Sequence, residues 1–413
     1  MFRLKNIQGA QYSPLYFLSA LGAGGISVSF FMYLMFMTPH KATPIPTWET
    51  LQAVFNGNEL MLKILAIVAL TGIVIFALMH IRLLIWNIRE FGQFKQTSAY
   101  EQLKQTNSEV QLMAVPLTYA MTINVSFILG ALFVPKLWTV VEYLFPLSIL
   151  AFAVVGIYAF RILTDYMGRV LVATRFDCAR NNNLSQMLSI FALGMIGVGF
   201  SAAAAMSTVK LTSGIAMLLS ILFLASAAVL ALIQLILGFR SMLQNGIDRE
   251  SSVSLWIVIP IITVVGIALY RLTMGMHHNF DLHTADIKAL ALFATLMSVQ
   301  TLFAILGFKV MQRLGYFAEY LYGSGKSVGS FALICPGVAT FVMSFFFIHK
   351  GLIDNGLVVK NSVVYFLLLV PLVILQIQTI WALLRLNKKL LKDSPADTTI
   401  KPTQTYPTMV LTH

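Results

Sequence analysis

Ten apolar stretches, each about as long as a membrane helix, occupy most of the 413 residues of the chain and constrain its fold more than any other feature. A transmembrane helix needs about 20 mostly apolar residues, because each residue adds about 1.5 Å along the helix axis. Hydrophobic residues make up 58% of the chain and charged residues 11%, so a soluble fold would expose more apolar surface than it could bury. The sequence therefore predicts an all-α polytopic membrane protein.

The ten predicted spans follow one another as five tandem helical hairpins around a central, pore-like axis. They cover Leu15–Met37, Leu60–Leu84, Gln111–Val134, Trp138–Phe160, Gln186–Ser207, Ser213–Leu237, Ser254–Gly275, Ile287–Phe308, Ser327–His349 and Asn361–Arg385. We expect residues 1–14 to form a cytoplasmic head, 15–385 the ten-helix transmembrane domain and 386–413 a disordered cytoplasmic tail. Residues 85–109 are polar with apolar positions at helical spacing, which predicts a short helix on the membrane surface or a solvated linker helix.

Most of the 28 Lys and Arg residues lie in alternate connections between the spans. Because such residues are retained on the cytoplasmic side, we expect both termini to be cytoplasmic, in a bacterial inner (plasma) membrane. The formal net charge of +12 then reports topology and not nucleic-acid binding, since the basic residues do not share one solvated face. The lipid bilayer is the expected partner, and a homo-oligomer is left open.

The odd-numbered spans contain residues that weaken an α-helix. Pro116, Pro260 and Pro336 lie in three of them, and Gly337 follows the last of these, while the first and fifth spans contain several glycines instead. Irregular backbone within a membrane is tolerated only where protein or water satisfies it. We therefore expect the odd helices to line a centre and the more aliphatic even helices to face lipid. An ordinary kinked membrane helix is the alternative for Ser327–Lys350.

Residue patterns that would indicate catalysis or a cofactor are weak. Cys178 lies in a connection and Cys335 in a span, so they form neither a metal framework nor a disulfide across such different environments. His277, His278 and His283 share one connection and could ligate a metal, although such a group is more often an adventitious site. We expect no cofactor, no metal site and no enzymatic activity.

The ten spans in five hairpins, the weakened odd helices and the aromatic-rich ninth span resemble the tellurite-resistance/dicarboxylate transporter and plant slow-anion-channel superfamily over roughly Leu15–Arg385. That resemblance implies a five-fold pseudo-symmetric bundle around a pore that a phenylalanine of the ninth helix occludes. Here the occluding residue would be Phe341, Phe345 or Phe346. The opening stretch YSPLYFLSALGAGGISVSFFMYLMFMTPH, Tyr12–His40, also resembles the TsoY-type membrane (seleno)proteins.

Ionisable residues within spans are costly and therefore suggest function. Arg271 lies about three helical turns beyond Pro260 and would place a permanent positive charge near the outer mouth of a pore, where it attracts anions or anchors the helix at the interface. Several neutral side chains could donate to an anion or make packing hydrogen bonds between helices. These candidates are Ser27, Ser29, Asn124, Ser126, Thr340 and Ser344.

Together these features predict an integral membrane anion channel or transporter that moves a small inorganic or carboxylate anion through a pore lined by the odd helices. The scarcity of acidic residues within the spans argues against a proton relay. The alternative is a non-transporting membrane anchor or partner subunit of a redox complex, which would show no flux.

Overall fold

The computed structural model describes residues 3–7, 9–173, 181–280 and 289–393. Within these residues, ten helices are long and apolar enough to cross a membrane, and the predicted all-α polytopic fold is confirmed. The described part of the chain also contains two short α-helices, several 3₁₀ and π-helical segments, connections and a single β-bridge between Leu4 and Lys392.

Five α-helices form an inner ring, in which each helix contacts the next and the last contacts the first. These inner helices are α1 (Phe17–Met37), α5 (Ala114–Phe133), α7 (Leu188–Met206), α9 (Val258–Phe280) and α11 (Ile334–Phe346). They belong to the odd-numbered spans, and between 61% and 94% of the residues in their most apolar windows are buried. The ring therefore surrounds an axis that lipid does not reach.

The other five long helices form an outer layer, each packed against the inner helix of its own hairpin. These outer helices are α3 (Leu60–Phe94), α6 (Val141–Ala173), α8 (Lys210–Asn245), α10 (Ala289–Arg313) and α12 (Val363–Leu391). Only 11% to 39% of their most apolar windows is buried, and their exposed residues are mainly aliphatic. Such a surface suits the hydrocarbon core of a bilayer. Two short helices, α2 (Trp48–Asn56) and α4 (Ser98–Leu103), lie in the connections.

Each inner α-helix follows directly on a 3₁₀ segment. These segments are Pro14–Tyr16, Asn107–Met113, Ser185–Met187, Glu250–Ile257 and Val328–Leu333. Pro116, Pro260 and Pro336 are each the third residue of the α-helix that follows, so each lies in the first turn of that helix. In a first turn the missing proline N–H costs little, since backbone N–H groups there lack α-helical partners. After Phe346 the ninth span continues as a π-helix, Phe347–Ile353.

Two outer helices extend beyond the spans predicted for them. Residues 85–94 continue α3 instead of forming a separate surface helix, and α12 extends to Leu391, six residues into the predicted tail. The end of α3 is held by the N-terminal head, because Tyr12 Oη donates to Asn87 Oδ1 at 2.8 Å and the Ile7 amide donates to Glu90 at 3.0 Å. The head also bonds with the end of α12, so the first and last described residues lie at the same end of the bundle.

Candidate functional site

Two cavities lie on the axis of the inner ring, and residues from all five inner spans line each of them. The first, which we call the Arg271 cavity, has a volume of about 190 Å³ and lies among the α-helical parts of the spans. The second, the Glu250 cavity, has a volume of about 250 Å³ and lies mainly among the 3₁₀ segments and the first residues of the α-helices. The inner helices therefore surround two separate cavities that lie next to each other.

The junction between the two cavities is formed by the three residues that line both: Phe191, Pro260 and Cys335. Phe191 is 4% exposed and is the largest of the three. One turn further along α7, Gly194 allows close contact with α9, since a Cβ at Gly194 would meet Val264 Cγ2 at 3.0 Å. Because residues three or four apart share a helix face, Phe191 and Pro260 each lie about one turn before this contact on their own helices. Phe191 was not identified from the sequence, where it is one apolar residue among many.

Arg271 is the only basic or acidic residue among those that line its cavity. Its Nη1 donates to the Val198 carbonyl on α7 at 3.3 Å, and that oxygen also accepts from Ser201 Oγ at 2.8 Å. A guanidinium has five N–H donors, and in the described part of the chain no carboxylate pairs with Arg271. The site therefore presents a positive charge with unused donors inside the membrane-spanning region.

The predicted neutral donors are distributed over several environments. Asn124 lines the Arg271 cavity, with its amide nitrogen 3.7 Å from Met195 Sδ. Ser27 donates to a carbonyl of α3 at 3.1 Å, and Ser29 accepts from Gln376 of α12 at 2.8 Å, so both serve packing between helices.

The other three candidates, Ser126, Thr340 and Ser344, are not among the residues that line either cavity. Ser126 is exposed on α5, Thr340 is half-buried and Ser344 is buried within α11. The structure therefore brings only one of the six predicted neutral donors to the cavity that contains Arg271.

The three predicted gate residues also differ in position. Phe346 lines the Arg271 cavity and contacts Tyr270 and Phe293. Phe341 and Phe345 are fully buried and contact each other, with ring centroids 4.7 Å apart. Among the ninth-span phenylalanines considered, Phe346 is the one on the cavity wall.

The prolines and Gly337 lie at or near the junction level. Pro260 lines both cavities and Pro336 lines the Glu250 cavity, whereas Pro116 is buried on α5. Gly337 packs against Thr379 of α12, since a Cβ there would overlap the Thr379 side chain. This close approach fixes α11 against its outer helix.

Polar side chains are more frequent in the Glu250 cavity. Ser327 Oγ donates to Glu250 Oε1 at 2.7 Å, and Gln111, Ser185 and Ser254 also line the wall. Glu250 is exposed, so this cavity accommodates a hydrated carboxylate. The charged residue on the wall is thus acidic in the Glu250 cavity and basic in the Arg271 cavity.

Three basic side chains, His40, Lys350 and Lys360, lie near the ends of α1 and of the ninth span, at the end of the inner ring where α9 also ends. Burial, assisted by Lys360 and Lys350, holds the pKa of His40 below its ordinary value. Burial and Lys350 likewise lower the pKa of Lys360. Burial is the main cause of both shifts, with a smaller contribution from repulsion between neighbouring positive charges. Lys350 also pairs with Asp354 at 3.0 Å, so part of the positive charge at this end is compensated.

The residues described contain no group of three or more His, Cys, Asp or Glu side chains placed to hold a metal ion. His277 and His278 close α9 with ring centroids 5.7 Å apart. His283, the third member of the predicted histidine group, and Cys178 lie outside the described residues. Cys335 is a free thiol.

The ten apolar helices define an integral membrane protein, and the two cavities within the inner ring are its candidate functional site. The sequence matches no protein-family model and no curated protein.

Proposed function

We propose that the protein transports a small anion along the axis of the inner ring, through the Glu250 and Arg271 cavities. The orientation that fits the distribution of basic residues places the Glu250 cavity and both termini on the cytoplasmic side. The resemblance to the tellurite-resistance/dicarboxylate transporter and slow-anion-channel superfamily is consistent with this proposal, but the evidence for the proposal comes from the cavities.

The observation that carries the proposal is the unpaired charge of Arg271. Arginine remains protonated in proteins, and an isolated charge in a low-dielectric region costs several kcal/mol unless a counter-charge compensates it. Among the residues described, no carboxylate supplies that counter-charge. A mobile anion in the cavity would supply it.

Flux through reconstituted protein tests this proposal. Purified protein in liposomes should increase the flux of at least one anion from a panel of inorganic and carboxylate anions, relative to protein-free liposomes. Arg271→Gln should lower that flux at least tenfold, and Arg271→Lys should retain part of it because the charge is kept. Since the charge lies in the cavity, the loss should persist at high ionic strength, where steering by surface charges is screened.

Arg240→Gln is the matched control, because Arg240 is exposed on the outer helix α8 and should not affect flux. Saturation of flux with anion concentration would indicate a carrier, and its absence a channel. If no anion in the panel crosses faster than in protein-free liposomes, the transport proposal fails. Co-purification of a soluble redox protein in that case would favour the membrane-anchor alternative.

A further inference from the structure

Apart from Arg271, the Arg271 cavity has a mainly apolar wall whose neutral polar groups are already engaged. The Ser148 and Thr263 hydroxyls donate to helix carbonyls, and Thr263 also accepts from Gln300 at 2.6 Å. The Asn124 amide nitrogen is directed at Met195 Sδ. The remaining wall is contributed mainly by Phe, Met, Val, Ile, Leu, Ala and Gly residues. A ligand therefore finds one strong donor group, the guanidinium, and otherwise apolar surface.

This wall discriminates against small inorganic anions. Chloride, nitrate and sulfate are hydrated over their whole surface, and a polar surface that loses water without a replacement partner is disfavoured. One guanidinium can face only one side of such an ion. A second anionic group would also lack a partner, because Arg271 is the only basic residue on the wall. The wall therefore favours a single negative group on an otherwise apolar molecule.

The volume of the cavity sets the size of that apolar part. A cavity of about 150 Å³ lined by Leu, Ile and Phe stays dry and binds benzene. At about 190 Å³ the Arg271 cavity has room for a ring of that size together with a carboxylate. A carboxylate pairs with a guanidinium through two parallel hydrogen bonds, while the ring contacts the apolar wall.

We infer that the Arg271 cavity binds a monocarboxylate with a compact apolar body, of the size and character of benzoate. The inference deepens the proposed transport function and rests on it for its biological meaning, but binding can be measured separately from flux. Such acids occur as free solutes and, with longer chains, as products of lipid breakdown. The compact cavity favours the free solute, because a long acyl chain would extend beyond the wall.

Thermal unfolding of the purified protein measures binding without any flux, since a ligand that binds the folded state raises Tm with its concentration. Benzoate is the probe, and benzamide, chloride, succinate and decanoate are compared at equal concentrations. We expect the largest rise with benzoate. Benzamide lacks the negative charge, and chloride lacks the apolar body. Succinate carries a second negative group, and decanoate represents the longer, lipid-derived acids.

Two variants test the two halves of the site. Arg271→Gln should weaken benzoate binding at least tenfold, and Arg271→Lys should restore part of it. Ala202→Phe fills the cavity without removing the charge and should also weaken benzoate binding. Ala228→Phe adds the same ring at an exposed position of α8 and is the matched control.

Several results would overturn the inference. One is a rise in Tm with chloride, succinate or benzamide equal to the rise with benzoate. Another is a larger rise in Tm with decanoate than with benzoate. The third is unchanged benzoate binding in folded Arg271→Gln or Ala202→Phe protein. Failure of the transport proposal looks different: benzoate would bind but no anion would cross the liposome membrane. Conversely, a chloride flux that benzoate neither shares nor inhibits would leave transport standing and reject the ligand class.

Discussion

Truncation of Phe191 to alanine should open the junction between the two cavities. The ring is the bulkiest of the three side chains that border both spaces, and Pro260 beside it has no freedom to move aside. A hydrophobic constriction closes a passage by steric blockage and by excluding water. With the ring removed, the Glu250 and Arg271 cavities should join into one continuous space.

The structure also sets the expected magnitudes. Removing an enclosed phenylalanine ring lowers the free energy of unfolding by about 3–5 kcal/mol. The loss for Phe191 should be near the lower end of this range, because the ring borders a cavity on two sides and has fewer packing neighbours there. We expect anion flux to rise at least tenfold, which corresponds to a barrier about 1.4 kcal/mol lower. Phe200→Ala is the matched control on the same helix. Phe200 is fully buried against Phe152 and Phe223, so its truncation should destabilise the protein at least as much without raising flux.

Flux in liposomes and thermal unfolding measure the two effects. Labelling of Cys335 adds an independent test, because this thiol lies at the same junction. In a Cys178→Ser background, a bulky charged thiol reagent should reverse the gain of Phe191→Ala, and Cys335→Ser should abolish that reversal. The reasoning is refuted if folded Phe191→Ala protein conducts like the parent, or if complete labelling of Cys335 leaves the gain intact.

Two further predictions concern the ninth span. Phe346→Ala should raise flux less than Phe191→Ala, because it widens the Arg271 cavity and leaves the junction unchanged. Phe345→Ala should lower the free energy of unfolding by about 3–5 kcal/mol with no gain in flux. Equal effects of Phe346→Ala and Phe345→Ala on flux would contradict this assignment. Gly337→Ala should lower stability by about 1–3 kcal/mol through overlap with Thr379, and denaturation should show that Thr379→Ala in the same chain recovers much of this loss. Strictly additive losses in the double variant would show that the two residues do not meet as described.

Much of the fold could be predicted from hydropathy alone, because a membrane allows few ways to satisfy the backbone. The number of spans and their pairing into hairpins follow from the spacing of the apolar stretches. The ends of the outer helices could not be predicted from hydropathy, because α3 continues through polar residues that bond with the N-terminal head. Those partners are about 80 residues away in the chain, and a local pattern cannot indicate them.

The site was less predictable than the fold. Arg271 could be identified because an ionisable residue within an apolar span is rare, and Asn124 because it is polar there. The sequence placed Arg271 near a pore mouth, whereas its position on the cavity wall depends on how α7 and α9 pack. Phe191 carries no signal of its own in the sequence, because its position on the walls of both cavities depends on how the inner helices pack.

The level of the junction has a physical origin in the winding of the inner helices. Phe191, Pro260 and Cys335 are within the first four residues of α7, α9 and α11, just after each span changes from 3₁₀ to α winding. Successive side chains turn by about 120° in a 3₁₀-helix and about 100° in an α-helix, so moving this change by one residue rotates everything beyond it by about 20°. Prolines fix the backbone at this level in α9 and α11, and α7 has none there. No proline therefore fixes the level of this change in α7, the helix that contains Phe191, and packing against its neighbours has to fix it instead.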